Sequence, residues 1–150
     1  MSELKTLAQK SLQDLLDSLG FVGTIEIEEE ASGICLQITS EDARFLIGED
    51  GTRLDHLQYL VNRMIQHTDP EAPRVKVDCD HYRQRTEKKL IDKALSFAKR
   101  VIETGKPMRL HPLNAYHRRL VHNALKDVKG VATESEEGSG RYKRITIRPR

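Results

Sequence analysis

The stretch ARFLIGEDGTRLDHLQYLVN, running from Ala43 to Asn62, decides how this chain is read. Gly48 and Gly51 sit between two apolar-periodic segments. Ala43–Ile47 is the short one. Beyond the glycines, Leu54, Leu57, Leu60, Val61, Met64 and Ile65 recur at helical spacing to about His67. A helix–Gly-x-x-Gly–helix corner lets the chain turn tightly and removes the side chains that block close approach. The amides that open the following helix then suit an anion. Two glycines in four residues are a weak signal, and a plain helix–helix turn is the commoner meaning, so the flanks must decide.

Upstream, Leu4, Leu7, Ala8, Leu12, Leu15, Leu16 and Leu19 mark an amphipathic helix stopped by Gly20. Ile25 and Ile27 then alternate with Glu26 and Glu28. After the turn signal Ala31-Ser32-Gly33, Ile34, Leu36 and Ile38 alternate with Cys35, Gln37 and Thr39. Period two on both sides of a turn predicts a hairpin with one buried face. Downstream of Asp69-Pro70 and Pro73, Val75 and Val77 alternate with Lys76 and Asp78 as a third strand. Residues 1–80 therefore read helix–strand–strand–helix–helix–strand, an α+β layer pair with helices over one face of the sheet.

The remainder opens with a long helix from about Tyr82 to Glu103, ended by Gly105 and Pro107. A second helix is predicted from near Pro112 to about Val128. Val131–Ser135 and Tyr142–Arg148 follow, separated by Glu137-Gly138-Ser139-Gly140. In the last strand Ile145 and Ile147 alternate with Arg144, Thr146 and Arg148, giving one apolar and one basic face.

The chain has 150 residues, of which 32% are charged and 37% apolar, enough for a modest core and against wholesale disorder. Aromatic residues make up 5% and Trp is absent, so the core is aliphatic. No apolar run approaches the ~20 residues that span a bilayer, and Met1–Gly20 has no signal-peptide pattern. Two cysteines, Cys35 and Cys79, are too few for a disulfide scaffold and fit a reducing cytoplasm. The net charge of +2 hides a split. Residues 1–70 hold 5 Lys/Arg and 13 Asp/Glu, net −8, while residues 71–150 hold 20 and 10, net +10. The basic half has the charge of a polyanion binder.

Helix–Gly-x-x-Gly–helix after a hairpin and before a third strand has the order of a type II KH domain. The likeness extends further. Leu46-Ile47-Gly48-x-x-Gly51 with Leu54-Asp55-x-Leu57-Gln58-Tyr59-Leu60-Val61-Asn62 resembles the KH segment of the bacterial Jag (SpoIIIJ-associated, KhpB-like) family. Tyr82-Arg83 and Thr104-Gly105-Lys106-Pro107 resemble its next stretch. Leu113-Asn114-x-Tyr116-x-Arg118-Arg119-x-Val121-His122 resembles its R-3-H domain, named for Arg-x-x-x-His, and Val131-x-Thr133-Glu134-Ser135 with the Arg-rich last strand completes the match. The resemblance implies a KH-like domain at 1–80, an R-3-H-like domain at 81–150, and single-stranded RNA or DNA as the ligand. Small KH proteins that pair with family members extend the implication to a homo- or hetero-dimer through the KH domain. One departure stands out: family members usually carry basic residues inside the Gly-x-x-Gly loop, where this chain has Glu49 and Asp50. Carboxylates there repel phosphate by about 1 kcal/mol per close pair, which argues against Gly48, Glu49, Asp50 and Gly51 as the RNA clamp.

Arg118 and His122 lie four apart on one helical face. The stripe of Leu113, Leu120, Val121, Ala124 and Val128 centres roughly 140° away, so both are expected to point from the core to solvent. Arg is a bidentate, permanently charged fork and His can donate or stack. On spacing alone an ordinary solvated pair is the commoner meaning; the resemblance makes them the lead contacts. Arg119, Arg141, Lys143, Arg144 and Arg83 are the further expected phosphate contacts, and Tyr142 offers a stacking face. His117 falls on the apolar side and is read as half-buried.

Cys79-Asp80-His81 lacks a second pair at zinc spacing, and His111, His117 and His122 are scattered. No phosphate-binding Walker loop and no Ser-His-Asp context occurs. The expectation is a cytoplasmic RNA-binding protein with no enzymatic activity, metal, cofactor or membrane partner. The reading from another class is an adaptor whose acidic KH half binds a protein.

Overall fold

Helix α1 (Ser2–Leu19) begins the computed structural model, which describes residues 2–150. Its apolar stripe buries Ala8, Leu12 and Leu16. Strands β1 (Thr24–Glu30) and β2 (Gly33–Thr39) form an antiparallel hairpin, with Ile27 opposite Leu36. Helix α2 (Ala43–Ile47), a single 3-10 turn (Glu49–Gly51) and helix α3 (Thr52–Thr68) lead to β3 (Lys76–Cys79), which pairs parallel to β2. The sheet order β1-β2-β3 makes β2 the central strand. Leu54, Val61 and Ile65 of α3 meet Leu12, Leu16, Leu36 and Ile38 in one core. Fully burying each such side chain contributes about 1.5–3 kcal/mol. Asn62 is a buried exception: its side chain donates to the Val75 carbonyl and accepts from the Val75 amide, at 2.9 and 2.8 Å, tying α3 to the chain entering β3.

The one-sided reading of the hairpin needs correction at β2, where Ile34, Cys35, Leu36, Gln37 and Ile38 are all buried. The central strand has neighbours on both edges, and polar groups cover its second face. Gln37 donates to Asp78 at 3.4 Å and accepts from the His81 amide at 3.1 Å. The His81 ring reaches Glu28, which stands opposite Cys35 in the register. Burial pushes the Cys35 thiol up to about 12, helped by Glu30, Asp78 and Glu28, so it is an inert core group.

Helix α4 (Tyr82–Thr104) starts where Asp78 receives the Arg83 amide, both carboxylate oxygens lying 3.2 Å away. Contacts divide the chain into two units, one ending at Arg83 and the other spanning Gln84–Arg150. In the second unit α4 is followed by β4 (Met108–Arg109), α5 (Ala115–Leu125), β5 (Val131–Ser135) and β6 (Ile145–Pro149). The antiparallel sheet has the order β4-β6-β5. Ala94, Ala98 and Val101 of α4, Val121 and Leu125 of α5, and Ile145 and Ile147 of β6 share a second core.

Helix α5 is shorter than the sequence suggests. Leu110 and Leu113 donate backbone bonds to Ile145 and Lys143, at 2.9 and 2.8 Å, so the chain around Pro112 is extended. The Asn114 side chain then accepts from the His117 amide at 2.8 Å and sets the true start. At the other end Val128 bonds back to Leu125 in a turn. The last strand likewise begins at Ile145 rather than Tyr142. The two-residue β4 carries no periodicity and was not expected.

Candidate nucleic-acid interface

Asn114 caps α5, and the helix brings Arg118 and His122 one turn apart. Both are half-buried rather than fully solvated. Arg118 donates through Nε to the Leu113 carbonyl at 3.2 Å. That carbonyl also accepts from the Lys143 amide at 3.0 Å, so Arg118 sits where β6's leading segment meets the start of α5. No described residue accepts from its two terminal nitrogens, and neither is buried.

His122 does not point into solvent as expected. Its Nδ1 lies 2.5 Å from Thr133 Oγ1 and its Nε2 lies 3.1 Å from Ser135 Oγ, so the ring bridges α5 to β5. Burial, and then the Arg118 charge, hold it below the usual histidine value of 6.5. Thr133 and Ser135 had no assigned role in the sequence. Their i, i+2 spacing on a strand is the signal, but only the pairing with Ile147 and Ile145 shows that both face the helix. His117 is half-buried, with its ring tilted against Tyr116 at 5.6 Å.

The remaining basic residues fall into two groups. Arg119 and Arg141 are exposed, and Arg141 lies 5.8 Å from the centre of the exposed Tyr142 ring. Lys143 is half-buried, with its backbone paired to Leu113. Arg144 commits Nε to the Leu110 carbonyl at 2.8 Å, as Arg118 commits Nε to Leu113, and its backbone amide donates to Glu136 at 2.9 Å. Arg148, on the face read as basic, pairs with Glu134 at 2.7 Å, and Arg109 pairs with Glu136 at 3.0 Å. In the other unit, Arg83 is also committed. Nε donates to the Val77 carbonyl and Nη1 to Asp55, both at 2.9 Å, while Nη2 is buried. Arg83 thus commits Nε and Nη1 to protein acceptors, whereas Arg144, like Arg118, commits Nε.

The glycine loop is built by packing. Gly48 has φ 72° and ψ −171°, a region nearly closed to other residues. Gly51 has φ 78°, and a Cβ there would lie 3.0 Å from the Tyr82 ring. Arg53 folds back to donate to the Phe45 carbonyl at 2.9 Å. Glu49 and Asp50 between the glycines are exposed, so the loop presents carboxylates. Among the described residues no helix is long and apolar enough to cross a membrane, and no group of three His, Cys, Asp or Glu is placed to hold a metal ion.

Residues 86–149 match the R-3-H domain family, so the family model falls on the unit that holds Arg118 and His122. Along more of its length the chain is similar to RNA-binding protein KhpB of Clostridium symbiosum, with 32% identity over 96% of this chain and 65% of the relative. It is also similar to RNA-binding protein KhpB of Bacillus subtilis, at 26% identity over 79% of this chain and 57% of the relative. The same-named protein of Lactiplantibacillus plantarum shares 30% identity over 81% of this chain and 38% of its own length. The chain thus spans between about two fifths and two thirds of the relatives it matches.

Proposed function

We propose that this protein binds single-stranded RNA in the cytoplasm, chiefly through its C-terminal unit, without catalysing a reaction. The observation that carries the reading is the R-3-H match over residues 86–149, in which Arg118 keeps two terminal nitrogens free of protein acceptors among the described residues. The unit from Gln84 to Arg150 has 17 Lys/Arg and 7 Asp/Glu, net +10, which draws in a polyanion and makes affinity salt-dependent. Arg118 supplies a charge-assisted fork to phosphate or a base edge. Arg119, Arg141 and Lys143 extend the contact, and the exposed Tyr142 ring stacks on an unpaired base. The likeness to three proteins named RNA-binding protein KhpB supports RNA as the nucleic acid.

In the same reading the first unit is a type II KH-like domain of the Jag type. Its helix–Gly-x-x-Gly–helix corner follows the hairpin and precedes a strand parallel to β2. Glu49 and Asp50 make its loop a poor phosphate clamp. A salt titration of the full chain against single-stranded RNA and a duplex of equal length tests the proposal. Preference for the single strand, reduced by Arg118→Ala, is expected; equal binding of both, unaffected by Arg118→Ala, refutes it.

A further inference from the structure

The roles within the Arg-x-x-x-His pair follow from which atoms are already engaged, and they rest on the RNA-binding reading above. A neutral imidazole has one donor nitrogen and one acceptor nitrogen. In His122 both are engaged within the protein, by Thr133 and Ser135. Hydroxyls rotate to donate or accept, so these two satisfy either neutral tautomer. Thr133 and Ser135 stand opposite Ile147 and Ile145, whose side chains are fully buried. The ring is therefore held to the core side of the sheet. One turn earlier, Arg118 has committed only Nε. A phosphate that arrives at this turn finds donors on Arg118 and no unengaged ring nitrogen on His122.

We infer that His122 is a positioning residue and that Thr133 and Ser135 set it: their hydroxyls lock the imidazole between α5 and β5, and the locked ring fixes the helical turn from which Arg118, and not the histidine, meets the phosphodiester. Burial, and then the guanidinium of Arg118, favour the neutral form. Neutrality suits a strut and makes the ring a poor cationic contact near pH 7.

The test uses the full chain and a fluorescent oligouridylate. Arg118→Ala should weaken binding on the order of tenfold and lower the salt slope by about 0.7, as for one lost phosphate contact on a single strand. His122→Ala and the double variant Thr133→Val/Ser135→Ala should each weaken binding, yet neither should weaken the Arg118→Ala protein further, because the loss passes through Arg118. The ratio of wild-type to His122→Ala affinity should stay constant from pH 7.5 to 6.5, where the ring is neutral. In the wild-type chain, ring-nitrogen NMR shifts should report a neutral, hydrogen-bonded His122 that moves little when RNA is added; this readout holds even where a variant fails to fold. The inference is overturned by an affinity ratio that climbs as pH falls from 7.5 to 6.5, by additive losses in the Arg118→Ala background, or by a large RNA-induced shift of the ring nitrogens. A wild-type chain with no affinity for the oligonucleotide refutes the RNA reading and the role of Arg118 with it. The lock is then judged by the ring shifts, and protonation at or above pH 6.5 refutes it.

Discussion

A Cβ placed on Gly48 would lie 2.7 Å from Cγ of Arg53 and 3.0 Å from its Cβ, so the first loop glycine is required by packing as well as by its backbone angles. The Arg53 side chain is itself held by the Phe45 carbonyl. Gly48→Ala should therefore destabilise the first unit by about 2 kcal/mol or more, from left-handed strain plus displacement of Arg53. Urea unfolding checks the loss. RNA affinity of the folded protein should remain near wild type if binding runs, as proposed, through the other unit.

Replacing Glu49 and Asp50 with Lys changes the local charge by +4. If the corner retains its backbone geometry for phosphate, RNA affinity at low salt should rise and the salt slope should steepen. Anisotropy titrations at two salt concentrations decide it. An unchanged affinity would mean that this surface does not meet RNA, and would favour a protein partner for the acidic unit.

Two histidines should pull stability in opposite directions with pH. The Glu28 hydrogen bond raises His81 above 6.5, so its contribution is fully present below pH 6.5 and is lost as pH rises through the folded value. Burial lowers His122, so the second unit should lose stability as pH falls from 6.5 through its folded value. Native-state hydrogen exchange reads the two units separately. Glu28→Gln should flatten the first profile only, and His122→Gln the second only.

Arg83 should behave as a bracing group, and Arg144 as a brace through Nε that keeps its terminal nitrogens for a ligand. Arg83→Ala removes bonds to Val77 and Asp55, and Arg144→Ala removes the one to Leu110; each should cost about 1–2 kcal/mol in thermal or urea melts. Affinity of the folded protein should change little in Arg83→Ala and fall in Arg144→Ala, whose terminal nitrogens have no acceptor among the described residues. Arg119→Ala and Arg141→Ala should show the reverse of Arg83→Ala, with weaker binding and unchanged melting, because both are exposed.

The hairpin, α3 and the long α4 were legible because their apolar spacing is strong and local. What was missed depends on partners distant in sequence. Cys35 and Gln37 look solvent-facing by period two, but β3 and His81 cover them from some 40 residues away. The start of α5 was misplaced because Leu110 and Leu113 pair with β6 and its leading segment, which lie beyond the next turn and strand. Arg118 and His122 were legible as a pair at i, i+4 spacing. Their unequal roles were hidden, since Thr133 and Ser135 reach the ring only once β5 docks against α5. The net charge was legible too, but not which cations pair: Arg148 meets Glu134 and Arg109 meets Glu136 only in the folded sheet.

The most direct test of where RNA binds is an amide chemical-shift map of the full chain titrated with a short single-stranded RNA. The largest changes should cluster at Leu113–His122 and Arg141–Arg144, fade with added salt and collapse in Arg118→Ala. Changes centred on Gly48–Thr52, with the α5 segment silent, would contradict binding through the C-terminal unit.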